Sequence, residues 1–108
     1  MQTLIHVYCR PGESLRRRIA LDERLANHRL EVVVQQIAGR KPGWLKVHSS
    51  DPDRPGAINI EWDGNTYLLT CRVVTRNRNK PNLIVGDFLE YLLACQWSRI
   101  EQIVVAPR

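Results

Sequence analysis

Ile58, Ile60 and Trp62 alternate with Asn59, Glu61 and Asp63; shortly after, Leu69, Cys71 and Val73 alternate with Thr70 and Arg72. A period of two over this length belongs to half-buried strands, whose successive side chains point to opposite faces. Asp63-Gly64-Asn65 lies between the runs, and these residues tolerate the positive φ of a tight hairpin turn. Two registers are open. A loop of Asp63-Gly64 sets Ile60 opposite Tyr67, whereas a loop of Gly64-Asn65 sets Trp62 opposite Tyr67. The aromatic pair favours the second. The registers differ by two residues, so both keep the same face apolar. That face carries Ile58, Ile60, Trp62, Leu69, Cys71 and Val73. The other carries Asn59, Glu61, Thr70, Arg72 and Arg76.

The rest of the pattern sorts into strands and helices around this hairpin. Thr3–Cys9 reads as a strand with Ile5, Val7 and Cys9 on one face and Leu4, His6 and Tyr8 on the other. Both faces are rather apolar, which predicts an inner strand. After Arg10-Pro11-Gly12, a turn, helical spacing of Leu15, Ile19, Leu25, Ala26 and Leu30 predicts a helix over Glu13–Arg29 with Ser14 as its N-cap. Asp22 falls within the apolar stripe, and a structural ion pair with Arg18 or Arg29 accounts for it. Leu30–Ile37 is a valine-rich strand, and Trp44–His48 a short one. After Pro81 comes a second helix, with Phe88, Leu89, Leu92 and Cys95 on its apolar face. Asn82 is one candidate cap, but Asp87 and Glu90 suit a capping box better, which makes Leu83-Ile84-Val85 an extended lead-in. Ile100–Ala106 is the last strand. The order β-α-β-β-β-β-α-β predicts one α+β domain over residues 1–108, with two helices packed on a mixed, mainly antiparallel sheet.

At 108 residues, the chain is long enough to bury a core without disulfides or metals. No apolar run reaches the ~20 residues of a membrane span. The N-terminus lacks a basic region followed by an apolar one, so a secretory signal is not expected and a cytoplasmic location is. Cys9, Cys71 and Cys95 are odd in number with no Cys-x-x-Cys, which fits small buried hydrophobes in a reducing compartment.

Charge changes this picture most. The net charge is +5, with thirteen arginines against three lysines. No acid occurs between Gly64 and Gly86, where Arg72, Arg76, Arg78 and Lys80 sit. Arg40, Lys41 and Lys46 surround Trp44, a basic cluster around an aromatic of the kind that single-strand platforms use. The candidate nucleic-acid contacts are therefore Arg72, Arg76, Arg78, Lys80, Arg40, Lys41 and Trp44, with DNA or RNA held by its backbone rather than read by sequence. The plain alternatives are a solvated basic face and a Trp44 that closes the core edge.

Two other functional classes stand beside this one. Several short strands leave sheet edges, and a homodimer through an edge or a helix face needs no nucleic acid. From the first helix onward, α-β-β-β-α-β resembles in topology the core of restriction-endonuclease-like nucleases. The resemblance implies an acid on one strand of the central hairpin and acid-x-Lys on the next. Asp63 suits the first place, but Thr70-Cys71-Arg72 stands in the second, so a metal-dependent nuclease lacks a carboxylate. Asp51-x-Asp53 fails as a calcium loop, because Trp62 occupies the twelfth position. No Gly-rich phosphate loop, zinc spacing or nucleophile elbow occurs. No catalytic residue, metal, cofactor, small-molecule ligand or membrane partner is expected.

Overall fold

The computed structural model describes residues 2–34, 44–76 and 81–108. In chain order the elements are β1 (Gln2–Cys9), α1 (Leu15–Ala20), a 3-10 helix (Glu23–His28), β2 (Leu30–Val34), β3 (Trp44–Ser49), β4 (Ala57–Asp63), β5 (Leu68–Val74), α2 (Asn82–Cys95), a short 3-10 helix (Trp97–Arg99) and β6 (Ile100–Pro107). The fold is α+β, with strands and helices in the expected order. The sheet runs β2-β3-β4-β5-β1-β6, and β1 is an inner strand.

All five neighbouring pairs are antiparallel, so the sheet is not mixed. The reason lies in the second crossover. β5 and β6 point the same way, but β1 lies between them and runs against both. The α2 connection therefore joins parallel strands that never pair.

One face of the sheet is covered. Ile5, Val7, Ile58, Ile60, Leu69, Cys71 and Val73 meet Leu15, Ile19, Leu25, Ile84, Phe88, Tyr91 and Leu92 in one core. The alternation around the hairpin sorts its two faces as the sequence pattern predicts, with Ile58, Ile60, Leu69, Cys71 and Val73 fully buried. Its turn differs. Trp62 lies opposite Leu69, not Tyr67. The loop is longer because Asp63 Oδ1 accepts from the Asn65 N–H at 2.9 Å and Tyr67 turns the chain at φ 54°. The Trp62 and Tyr67 rings still meet edge to face, at 6.4 Å and 63°.

The expected helix over Glu13–Arg29 is two pieces. Ser14 does cap the first, accepting from the Arg17 N–H at 3.2 Å. The chain then breaks at Leu21, and Asp22 restarts it by accepting from the Arg24 N–H at 3.0 Å. An aspartate competes with the helical backbone in mid-helix but satisfies orphan N–H groups at a start. Arg29 ends the segment in the left-handed region, at φ 62°.

α2 starts earlier than the capping box predicts. Leu83, Ile84 and Val85 are helical, Pro81 occupies the N-cap position, and no side chain caps the end. Asp87 is instead a buried mid-helix residue held by Arg54, and Glu90 meets His28. Each carboxylate found a partner distant in sequence, which removed both from capping. Gly56 lets the β3–β4 connection pass close to α2. Its φ is 153°, and a Cβ there would lie 3.1 Å from both Ile84 and Thr75 side chains.

No helix among the described residues is long and apolar enough to cross a membrane.

Candidate nucleic-acid interface on the open sheet face

The helices cover one face of the sheet, so the polar phase of each strand faces outward. Register then decides which outward residues meet. Lys46, Asn59, Arg72, Leu4 and Ala106 form one row across β3, β4, β5, β1 and β6. The next row on one side holds Trp44, Glu61, Thr70, His6 and Val104; on the other, His48, Ala57, Val74 and Gln2. Lys46 and Arg72 are two strands apart, roughly 10 Å between backbones at the ordinary strand spacing. They are 26 positions apart in the chain, and only the sheet brings them together.

Arg72 and Arg76 are exposed, and neither makes a hydrogen bond or ion pair among the described residues. Arg76 follows the end of β5 and lines a groove of about 700 Å³ with Lys46, His48, Ser49 and Asn59. Glu31 and Asp51 lie on the same groove, although Asp51 already has the Arg29 guanidinium 3.8 Å away. The outward face thus gathers Lys46, Arg72 and Arg76 at one end, with Glu31 and Glu61 as its nearby carboxylates. Exposed Arg72 and Arg76 with half-buried Lys46, flanking an amide and a hydroxyl, can hold phosphate oxygens.

Four of the expected contacts, Arg40, Lys41, Arg78 and Lys80, lie outside the described residues. Trp44 does not serve as a platform. It is only 4% exposed, and its carbonyl accepts from Arg16 Nε and Nη2 at 3.3 and 3.0 Å. This ties α1 to the start of β3, and no ring face is left for a base to stack on. Trp44 lies in the outward row, on the face opposite the core-facing Leu45 and Val47. Lys46, next to Trp44 along β3, also joins Arg72 across the row. Among the described residues, the exposed aromatic on the outward face is Tyr8, at 41%. Its signal was present in the β1 alternation, which places Tyr8 opposite Val7 and Cys9.

The helical layer holds three polar clusters that spacing alone does not reveal. Asp22 pairs with Arg24, not with Arg18 or Arg29. Arg24 Nε and Nη2 donate to its two oxygens at 2.8 and 3.0 Å; Tyr91 Oη and Gln96 Nε2 donate to Oδ2 at 2.8 and 3.1 Å. Burial alone would raise the Asp22 pKa. The donated hydrogen bonds from Arg24 and Tyr91 outweigh it and hold the carboxyl at about 2. Burial also pushes the Tyr91 hydroxyl well up. Asp87, 4% exposed, receives a two-point grip from Arg54 at 2.8 and 2.9 Å and a longer contact from Arg29 at 3.4 Å. His28 lies between Glu90 and Cys95.

Cys9 and Cys71 are buried thiols, as expected, and burial raises the pKa of each. Cys95 departs from that expectation, being only half-buried and beside His28. The nuclease-like positions do not assemble: Asp63 ends β4 opposite Leu68, Thr70 lies opposite Glu61, and Cys71 points into the core. No family model, no curated protein and no solved structure matches the chain.

Proposed function

We propose that the open sheet face binds the sugar-phosphate backbone of nucleic acid without regard to sequence. The observation that carries this reading is the row Lys46–Asn59–Arg72 beside the groove that holds Arg76. Three cations and a hydrogen-bonding groove suit phosphate. Among the described residues no element of the face projects a helix or ribbon of the kind that reads base edges. Tyr8 offers its ring to an unpaired base, so single strands gain a stacking contact that duplex cannot make.

The test is fluorescence anisotropy with labelled single- and double-stranded oligonucleotides at several salt concentrations. Three phosphate contacts predict a slope of log K against log salt of about −2 for single strands and about −3 for duplex. Changing Lys46, Arg72 and Arg76 together to Gln is expected to lower affinity by about tenfold or more, by the same factor for every sequence. Tyr8→Ala is expected to weaken single strands more than duplex. Binding that survives the triple change, or that loses affinity for some sequences only, would refute the reading.

A second reading concerns β6, an edge strand. The Arg108 N–H donates to Gln2 at 3.0 Å, so by antiparallel alternation the N–H groups of Ile103 and Val105 point to the open edge. Val104 and Val105 are 38% and 42% exposed on opposite faces of it. A second copy pairing about Val104 satisfies those groups and covers both side chains. Light scattering after size exclusion then gives a dimer that Val104→Lys converts to monomer and that oligonucleotide leaves unchanged. A monomer at every concentration tested rules this reading out.

A further inference from the structure

The 3-10 helix Glu23–His28 and the C-terminal half of α2 bring a thiol, an imidazole and a carboxylate into line. His28 Nδ1 lies 2.8 Å from Glu90 Oε1, and His28 Nε2 lies 3.9 Å from Cys95 Sγ. A carboxylate only accepts, so the ring proton sits on Nδ1 and the Nε2 lone pair faces the thiol. The Tyr91 ring stands edge-on to the imidazole at 5.8 Å and fixes its plane. A base oriented by a third group and aimed at a thiol is the arrangement that activates a nucleophile.

A second observation adjoins the first. Arg24 Nη2 donates to the Cys95 carbonyl at 3.3 Å, so a guanidinium lies against the same residue. Arg24 also lines a shallow depression of about 480 Å³ with Arg17, Arg18, Asp22 and Gln96, the residue after Cys95. Asp22 engages Arg24, and Glu13 lies 3.8 Å from Arg18, while Arg17 is exposed. Glu13 lines the depression too, so its cation outside any ion pair among the described residues is the exposed Arg17, and Gln96 joins the depression to the backbone of Cys95. The charged and titratable groups about Cys95 are His28 and Arg24 from the 3-10 helix, Glu90 and Tyr91 from α2, and Asp22 behind Arg24.

We infer that Cys95 is a nucleophilic thiol that takes up a small anionic thiol by exchange with its disulfide, with His28 as base and the exposed Arg17 facing a carboxylate of the incoming molecule. The Cys95 proton passes to His28 Nε2. The thiolate attacks one sulfur of the disulfide, the old S–S bond breaks, and the departing thiolate takes the proton from His28. Cys95 is oxidised and the disulfide is reduced, with no other reactant. Acyl transfer suits the site less well, because α2 ends here and presents carbonyls rather than the N–H donors that an oxyanion needs. Cys9 and Cys71 are buried in the sheet core, so no cysteine resolves the product and the mixed disulfide persists. Glu90 is a positioning residue, 62% exposed, and its replacement leaves the core intact.

The test uses the full chain, oxidised glutathione as the anionic disulfide and cystamine as a cationic one, with mass spectrometry of the intact and digested protein. The expected result is one glutathione per chain, on Cys95, formed faster than the cystamine adduct. His28→Asn is expected to slow it by about tenfold or more. Glu90→Gln is expected to slow it less and to displace the limb of the pH–rate profile that His28→Asn abolishes. Arg17→Gln is expected to erase the preference for glutathione over cystamine. Equal rates for wild type, His28→Asn and Glu90→Gln would overturn the inference, as would adducts on Cys9 or Cys71 instead. Because Glu90→Gln changes only an exposed side chain, a misfolded His28 variant leaves the inference testable.

Discussion

Asp22→Ala is expected to lower the melting temperature of this chain by about 15 °C, the effect of roughly 3 kcal/mol on a domain of this size. Two losses add up to that figure. The first is the N-cap of the 3-10 helix, where Asp22 accepts the Arg24 N–H; a lost cap costs about 1 kcal/mol. The second is the shared acceptor of Tyr91 and Gln96. Both donate to Asp22 Oδ2, and Gln96 is 1% exposed while Tyr91 is fully buried. Removing the acceptor strands donors at a cost of about 1–3 kcal/mol, softened because Gln96 Nε2 also donates to Tyr91 Oη at 3.1 Å. Asp22→Asn keeps the cap and one acceptor, so it costs less at neutral pH.

The same residue sets an acid limit. Its pKa is lowered from the ordinary value of 3.8 to about 2 on folding. A lowered carboxylate contributes stability above its unfolded pKa and loses it as pH falls through the folded one. The window is therefore about pH 4 down to pH 2. The contribution is at most about 2 kcal/mol, reduced by solvent around the half-exposed Arg24. The informative quantity is the difference between wild type and Asp22→Asn. Melts followed by circular dichroism at pH 7, 4 and 2.5 measure it. The gap between the two proteins is expected to narrow across that window, and a gap that stays constant rules the linkage out.

What could be read from the sequence was local. The hairpin faces follow from a period of two and stay correct even where the turn register is two residues off, because a shift of two preserves the face. The first helix shows the limit of periodicity. Leu15, Ile19, Leu25 and Leu30 all reach the core, so the stripe is real, yet the backbone that presents it is broken at Asp22. An aspartate inside an apolar stripe was the visible sign of that break. Asp87 and Glu90 have the spacing of a capping box, but their partners, Arg54 and His28, lie 33 and 62 residues away. No local rule weighs such pairs. The basic surface repeats the lesson. Charge runs together in sequence from Arg72 onward, whereas the structure adds Lys46 to Arg72 through strand register.

The Arg54–Asp87 pair gives the second large effect. Asp87 sits on the buried side of α2 with its carboxylate 4% exposed, and both of its oxygens are held by Arg54. Arg54→Met removes the two-point partner and leaves the charge inside. Arg29 reaches only one oxygen, at 3.4 Å, and is half-exposed, so it compensates in part. Breaking a buried pair from one side is among the most damaging single changes, and a fall in melting temperature of about 15 °C is expected. The double change Arg54→Met with Asp87→Leu carries no stranded charge. Apolar side chains of similar volume often replace a buried pair without loss. The double variant is therefore expected to recover most of the stability that the single change removes. Such a recovery assigns the damage to the uncompensated carboxylate rather than to lost attraction. If the double variant melts as low as Arg54→Met alone, the pair stabilises the β3–β4 connection against α2 by its own hydrogen bonds, and the account given for the single change is wrong.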